Sequence, residues 1–248
     1  FLEHHYGPWV IENRKSGKLT LRRIHSSFKG LLDTRMDSLD VWSLEKWRTA
    51  KLKNKGVKRV TVNRDIAVLK AALNCAVEWG FLDENPIAKM KKLKETDSKE
   101  KIRHLAPEEY QRLIATLDAR EEELRKGRDN FNAWRSERGY DLYPDLRTQP
   151  FADHLKPMIL IALNSGIRRS ELFNLEWVDI DFQHNTLTVR AESAKSGKLR
   201  RIKMNKTLRQ TLTDWKKCCG KEKLVFSGKE EKPFTNCNKS WGKVMKAA

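Results

Sequence analysis

Between residues 89 and 103 the sequence carries Lys89, Lys91, Lys92, Lys94, Lys99, Lys101 and Arg103 with few apolar anchors among them. A stretch of that kind reads as an exposed connector, so the residues on either side must bury their apolar side chains separately. A length of 248 residues exceeds the ~100–200 of a common domain and leaves room for two. The expected division is a helical domain over residues 1–95, a basic linker over 96–104 and a second domain over 105–248.

Ahead of the linker the apolar pattern is helical throughout. Val62, Ile66, Leu69, Leu73, Ala76 and Val77 follow a spacing of three and four, which predicts a helix from Thr61 to near Gly80, before the Glu84-Asn85-Pro86 break. Ser43 is the expected cap of a helix that turns Leu44 and Trp47 inward and closes at Gly56. Leu21, Ile24, Phe28 and Leu31 predict another helix over 19–32, and residues 1–11 a fourth. No strand pattern appears there.

Beyond the linker the pattern is mixed. Pro107 suits the first turn of a helix carrying Tyr110, Leu113, Ile114 and Leu117, with Tyr110 expected in the core. Residues 118–150 are highly charged and read as a partly helical surface insertion. A buried helix across Met158–Leu163, an Asn164-Ser165-Gly166 turn and a helix from Arg168 to Leu175 follow. Thr186–Arg190 and Arg200–Met204 alternate as two strands of a basic hairpin, with Leu187, Val189 and Ile202 inward. Leu208, Leu212 and Trp215 predict one more helix, Trp241, Val244 and Met245 another, and Leu224–Phe226 a short strand between them. The fold class expected is mainly α with a small antiparallel β-sheet.

Charge narrows the partner. The chain has 51 Lys and Arg against 33 Asp and Glu, a net +18. The excess is spread, with 21 basic against 13 acidic residues up to residue 100 and 30 against 20 after it. A polyanion is the natural ligand. The longest apolar run, Met158–Leu163, is far short of the ~20 residues that cross a bilayer, and no basic-then-apolar leader opens the sequence. A soluble, cytoplasmic protein without a membrane partner is expected. Cys75, Cys218, Cys219 and Cys237 form no C-x-x-C pair and no histidine has metal-ligand spacing, so neither a disulfide framework nor a metal is implied.

Two segments carry chemistry. In Asn164-Ser-Gly-Ile-Arg-Arg-Ser-Glu171 a glycine turn delivers Arg168 to the start of a helix, where a guanidinium fork and free helix amides both suit a phosphate. Glu171 lies on the same face and can hold it. Alone, an Arg-x-x-Glu pair is most often a surface ion pair. The hairpin tip Ser193-Ala-Lys-Ser-Gly-Lys-Leu-Arg-Arg-Ile-Lys203 presents Lys195 and Lys198, ammonium groups able to reach DNA and to donate a proton. Alone, such a tip is most often a solvated turn.

Together, in this order and spacing, the two segments resemble the tyrosine recombinase and phage integrase family. The helical Thr61–Leu82 stretch with Glu84-Asn-Pro-Ile87 resembles the end of that family's core-binding domain, and Leu105-Ala-Pro-Glu-Glu109 the entry to its catalytic domain. The resemblance implies an all-helical N-terminal core-binding domain followed by an α+β catalytic domain truncated at its C-terminus. It implies site-specific strand exchange on double-stranded DNA through a 3′-phosphotyrosine, by a homo-tetramer on DNA, bacterial or phage-encoded, without metal or nucleotide cofactor. Arg168 would match the first catalytic arginine, with Arg169 the competing candidate, Lys195 the hairpin general acid and Glu171 the positioning acid. Arg169, Lys198, Arg200, Lys91 and Lys92 are the expected DNA-binding residues.

The sequence departs from that family at one point. No His is followed three positions later by Arg, and Tyr6, Tyr110, Tyr140 and Tyr143 all precede Arg168, so no nucleophile is nominated. The chain as given is expected to bind DNA without cleaving it, the nucleophile and the His-x-x-Arg box belonging to the intact parent. A non-catalytic two-domain DNA-binding regulator or architectural protein is the alternative, and an RNA-binding protein a weaker one, since the aromatic residues show no recognisable stacking platform.

Overall fold

In the first ninety residues the three-and-four spacing becomes helix nearly everywhere it occurs. The computed structural model describes all residues but 55, 97–103, 192–196 and 221, and the chain divides into two units, Phe1–Arg103 and His104–Ala248. In the first, a π-helical turn at Leu2–Tyr6 runs into α1 (Gly7–Asn13), followed by α2 (Gly17–Ser27), α3 (Val41–Lys53) and α4 (Arg59–Glu78). α1 and α2 meet so closely that a side chain at Gly17 would lie 1.9 Å from the Val10 carbonyl oxygen. α3 starts one turn earlier than Ser43 would place it, because the Asp40 carboxylate accepts the Ser43 amide at 2.7 Å and is the cap.

The core of this unit collects Ile24, Phe28, Leu44, Val62, Ile66, Leu69 and Leu73, as the spacing anticipates. Trp47 stacks on Phe28 at 4.4 Å and donates its indole N–H to the Ser27 carbonyl. One member of the buried face of α4 is an acid: Asp65, 1% exposed, lies 2.7 Å from Arg23 of α2 and 3.0 Å from Lys51 of α3. Three helices are therefore tied through one carboxylate, whose charge is compatible with burial only because both partners are cationic.

The stretch after α4 is less free than its composition suggests. Ile87 and Met90 are buried, and Asn63 on α4 pairs with both backbone groups of Leu93 at 2.9 Å. Residues 86–94 thus run against α4 with Lys91 and Lys92 exposed. The remainder of the expected linker, residues 97–103, lies outside the described residues.

The second unit opens with α5 (Pro107–Ser136), continues through α6 (Leu155–Ser165) and α7 (Arg169–Phe173), and forms a sheet of β1 (Ile180–Asp181), β2 (Thr186–Val189) and β3 (Arg200–Lys203). α8 (Lys206–Cys219) and α9 (Asn238–Ala247) follow. The sheet is antiparallel in the order β1-β2-β3, with Leu187 opposite Ile202 and Val189 opposite Arg200. β1 leaves no alternation in the sequence, since two residues are too few to show it. Leu224–Phe226, expected as a strand, contributes one bridge, Leu224 to Glu176, and buries all three side chains.

Around the sheet, Met158, Ile161, Leu172, Phe173, Leu187, Val189, Leu208, Leu212 and Phe226 make one core, while Leu113, Leu117, Leu155, Ile159 and Val244 make a second beside it. Tyr110 joins neither and is 38% exposed, because the first turn of α5 extends past the layer that Leu113 opens. α5 is also longer than foreseen, running unbroken through half of the expected insertion. Its last buried residue is Glu121, which accepts the Ala152 amide at 2.9 Å and Lys156 at 3.1 Å.

α8 begins where Asn205 accepts the Leu208 amide at 2.8 Å and donates to the Asn164 side chain at 2.9 Å. Asn205→Ala is expected to lower the stability of this unit by about 1 kcal/mol in urea unfolding. An unchanged midpoint would remove the cap from the account. Among the described residues no helix is long and apolar enough to cross a membrane.

Candidate functional site

Arg168 reaches its position through a left-handed residue. Gly166 closes α6 at φ +63°, a conformation that costs glycine little and other residues more, and its amide donates to the Ala162 carbonyl at 3.0 Å. After that turn Ile167 buries its side chain, and Arg168 sits extended as the residue capping α7.

Glu171, on the first turn of α7, has a side chain with no solvent exposure and accepts four hydrogen bonds. The Arg168 amide donates to its Oε2 at 2.8 Å and Arg168 Nη1 to its Oε1 at 3.0 Å. Arg200 straddles the same carboxylate, Nη1 to Oε1 at 3.0 Å and Nη2 to Oε2 at 2.7 Å. The Arg200 fork, opposed by burial and assisted by the Arg168 amide and guanidinium, holds the Glu171 carboxyl down at about 2. Glu171 is therefore charged at every physiological pH.

This arrangement adds to the expectation in two respects. Free helix amides are expected beside the Arg168 guanidinium, and at the cap the Arg168 amide is taken by Glu171. Arg200, expected among the DNA-binding residues, is a partner of Glu171 and two-thirds buried. The signal for the second was present: Arg200 shares the inward face of β3 with Ile202, two residues on.

The Arg168 side chain itself remains half exposed, with Nη1 turned to Glu171, so its outward edge can meet an oxyanion while its inner edge is fixed. Arg169 is exposed beside it and reaches Asn238 Oδ1 at 3.4 Å. Lys198 is exposed on the approach to β3. Lys195, proposed as an acid, lies outside the described residues, so its distance from Arg168 is not part of this geometry. Lys91 and Lys92 belong to the first unit.

Other reactive groups lie apart from chemistry. Burial pushes the Cys219 thiol up to about 12, which makes it a poor nucleophile. Tyr6 is in the core of the first unit, and Tyr140 and Tyr143 are engaged in a ring stack at the far end of α5. Among the described residues no group of three or more His, Cys, Asp or Glu is arranged to hold a metal.

Two family models match this sequence: the phage integrase N-terminal domain over residues 8–94 and the phage integrase family over residues 137–248. The integrase of Salmonella phage P22 is 29% identical over 176 residues, 71% of this chain and 35% of that protein. The chain therefore spans about a third of the length of that curated relative. Among solved structures, a lambda integrase tetramer bound to a Holliday junction matches with a TM-score of 0.65 at 16% identity, over 98% of this chain and 62% of the other. The Tn1549 transposon integrase, residues 82–397 in complex with circular intermediate DNA, matches with a TM-score of 0.60 at 18% identity, over 97% and 76%. At such identities the structural likeness speaks for the fold.

Proposed function

Since the chain belongs to the phage integrase family, we propose that it forms the DNA-binding and partial catalytic region of a tyrosine-type site-specific recombinase acting on double-stranded DNA. The observation that carries this reading is Glu171, a buried acid that fixes Arg168 with its outer edge left to solvent. A guanidinium held in that way is preorganised for the nonbridging oxygens of a scissile phosphate, where charge grows in the transition state.

Arg168 is the residue that stabilises that charge, and Glu171 positions it. Lys195 protonates the 5′-oxygen leaving group. Arg169, Lys198, Lys91 and Lys92 contact backbone phosphates, and Arg200 serves the phosphate indirectly, through Glu171. The tyrosine nucleophile is not among the four tyrosines of this chain, all of which precede Arg168. The 248 residues alone are thus expected to bind duplex DNA without a covalent complex, and strand exchange belongs to the intact protein, as a tetramer on its sites.

Binding is measured by mobility shift on a mixed-sequence duplex between 50 and 200 mM salt. A steep loss of affinity is expected, since each neutralised phosphate contributes about −0.9 to the slope of log K against log salt. The double variant Lys91→Ala, Lys92→Ala is expected to flatten that slope by about 1.8. An unchanged slope would remove both lysines from the interface. Absence of binding at the lowest salt would overturn the DNA reading altogether.

A further inference from the structure

Beyond Glu121 the long helix α5 leaves its core behind. Its last fifteen residues project about 20 Å, and no residue from 122 to 150 is buried. The projection holds its shape by polar staples. Asn132 pairs with both backbone groups of Tyr143, at 2.9 and 3.0 Å, and Arg128 donates to the Pro144 carbonyl at 2.8 Å. Arg147 binds Glu122 at 3.0 Å and Asp129 at 2.7 Å.

At its tip the rings collect on the surface. Phe131 lies parallel to Trp134, 5.9 Å away with 5° between planes, and stacks on Tyr143 at 5.7 Å; Trp134 meets Tyr140 at 5.9 Å. Arg135 lies 4.8 Å from the Tyr143 ring centre and Arg138 4.4 Å from that of Trp134. Every one of these rings, and Leu142 beside them, is nonetheless 44–59% exposed. Folding the projection does not require so much aromatic surface in water, and Trp, Tyr and Arg are the residues that dominate association surfaces.

We infer that this tip is a contact surface for the tip of a second copy of the chain. Charge selects the occupant. Residues 128–147 hold four arginines and four carboxylates, in a chain with 51 basic and 33 acidic residues. Two such chains repel wherever their basic faces meet, whereas at this neutral tip the interspersed signs can pair across a two-fold axis. Duplex DNA is the poorer occupant, because the tip brings no net positive charge and its guanidinia already serve Pro144, Asp141, Trp134 and the Glu122–Asp129 pair.

Area sets the strength. The exposed rings and Leu142 amount to roughly 500 Å² per copy, against about 800 Å² per partner in a standard stable interface. The contact is accordingly too weak for a dimer free in solution and acts where two copies are already held on one DNA, a condition that rests on the reading above.

The test compares the whole chain on two mixed-sequence duplexes, one long enough for a single chain and one for several. Binding to the long duplex is expected to be cooperative, the second chain about tenfold tighter than the first. Leu142→Asp, which leaves the ring stack intact, and Trp134→Ser should both match the parent on the short duplex and lose that tenfold on the long one. A parent that binds the long duplex without cooperativity, or a Leu142→Asp chain that keeps it, overturns the contact alone. Tighter binding of the parent than of Leu142→Asp on the short duplex would make the tip a DNA contact instead and also overturns it. Failure to bind either duplex overturns the DNA reading and the contact together.

Discussion

In the intact protein, Arg168→Ala is expected to reduce covalent attachment to a nicked duplex by on the order of 10³-fold or more, with duplex affinity within a few-fold of the parent. The reason lies in how the side chain is held. Its amide and Nη1 are both anchored on Glu171, so the guanidinium approaches a phosphate without first being ordered. Arg168→Lys should recover little, because an ammonium cannot face Glu171 and two phosphate oxygens at once in one plane. Arg169→Ala serves as the comparison. Its guanidinium is exposed and makes one long contact to Asn238, so a moderate loss of affinity with cleavage retained is expected. Normal cleavage by the Arg168 variant, or its loss in the Arg169 variant, would exchange the two assignments.

Glu171→Gln should be the most damaging change at the site for stability. It leaves Arg168 and Arg200 facing a neutral amide that cannot accept four hydrogen bonds, at a cost of about 2–3 kcal/mol in chemical unfolding. The same carboxylate predicts a pH dependence. Its native pKa, about 2, lies below the ordinary 4.5, so the unfolded chain binds the proton more readily. The stability it contributes is full above pH 4.5 and is lost as pH falls toward 2. With two partly exposed arginines screened by solvent, that amounts to about 2 kcal/mol. The parent and Glu171→Gln should therefore converge in stability as the pH is lowered through this window. Parallel curves would show that Glu171 is not the group that titrates. Cleavage should fall in the Gln variant even where folding is complete, and restoration by Glu171→Asp would argue against a strict dependence on four-donor geometry.

The helices of the first unit were legible because their apolar residues obey one period over many turns, as Val62, Ile66, Leu69 and Leu73 do in α4. What the pattern missed were acids on the same faces. Asp65 and Glu121 read as surface on any apolar template, yet both are buried, because cations from neighbouring elements reach them. Those partners are up to 42 residues distant in sequence and invisible to a local window. Arg168 and Glu171 could be read from their spacing, whereas the Arg200 fork required the register of the hairpin. The expectation of a partly helical surface insertion over 118–150 leaves its order unspecified for a related reason: Arg147 with Glu122 and Asp129, and Asn132 with Tyr143, are pairings between distant positions that a local window does not show.

β3 stands at the end of the sheet order, and three of its four residues are cationic: Arg200, Arg201 and Lys203. A strand in that place offers a ladder of peptide groups to any passing extended segment, the usual beginning of aggregation. Here a like strand from another molecule would bring lysine and arginine against lysine and arginine, so self-templating is refused by electrostatic repulsion. The three cations of β3 thus guard the rim of the sheet whatever else they serve.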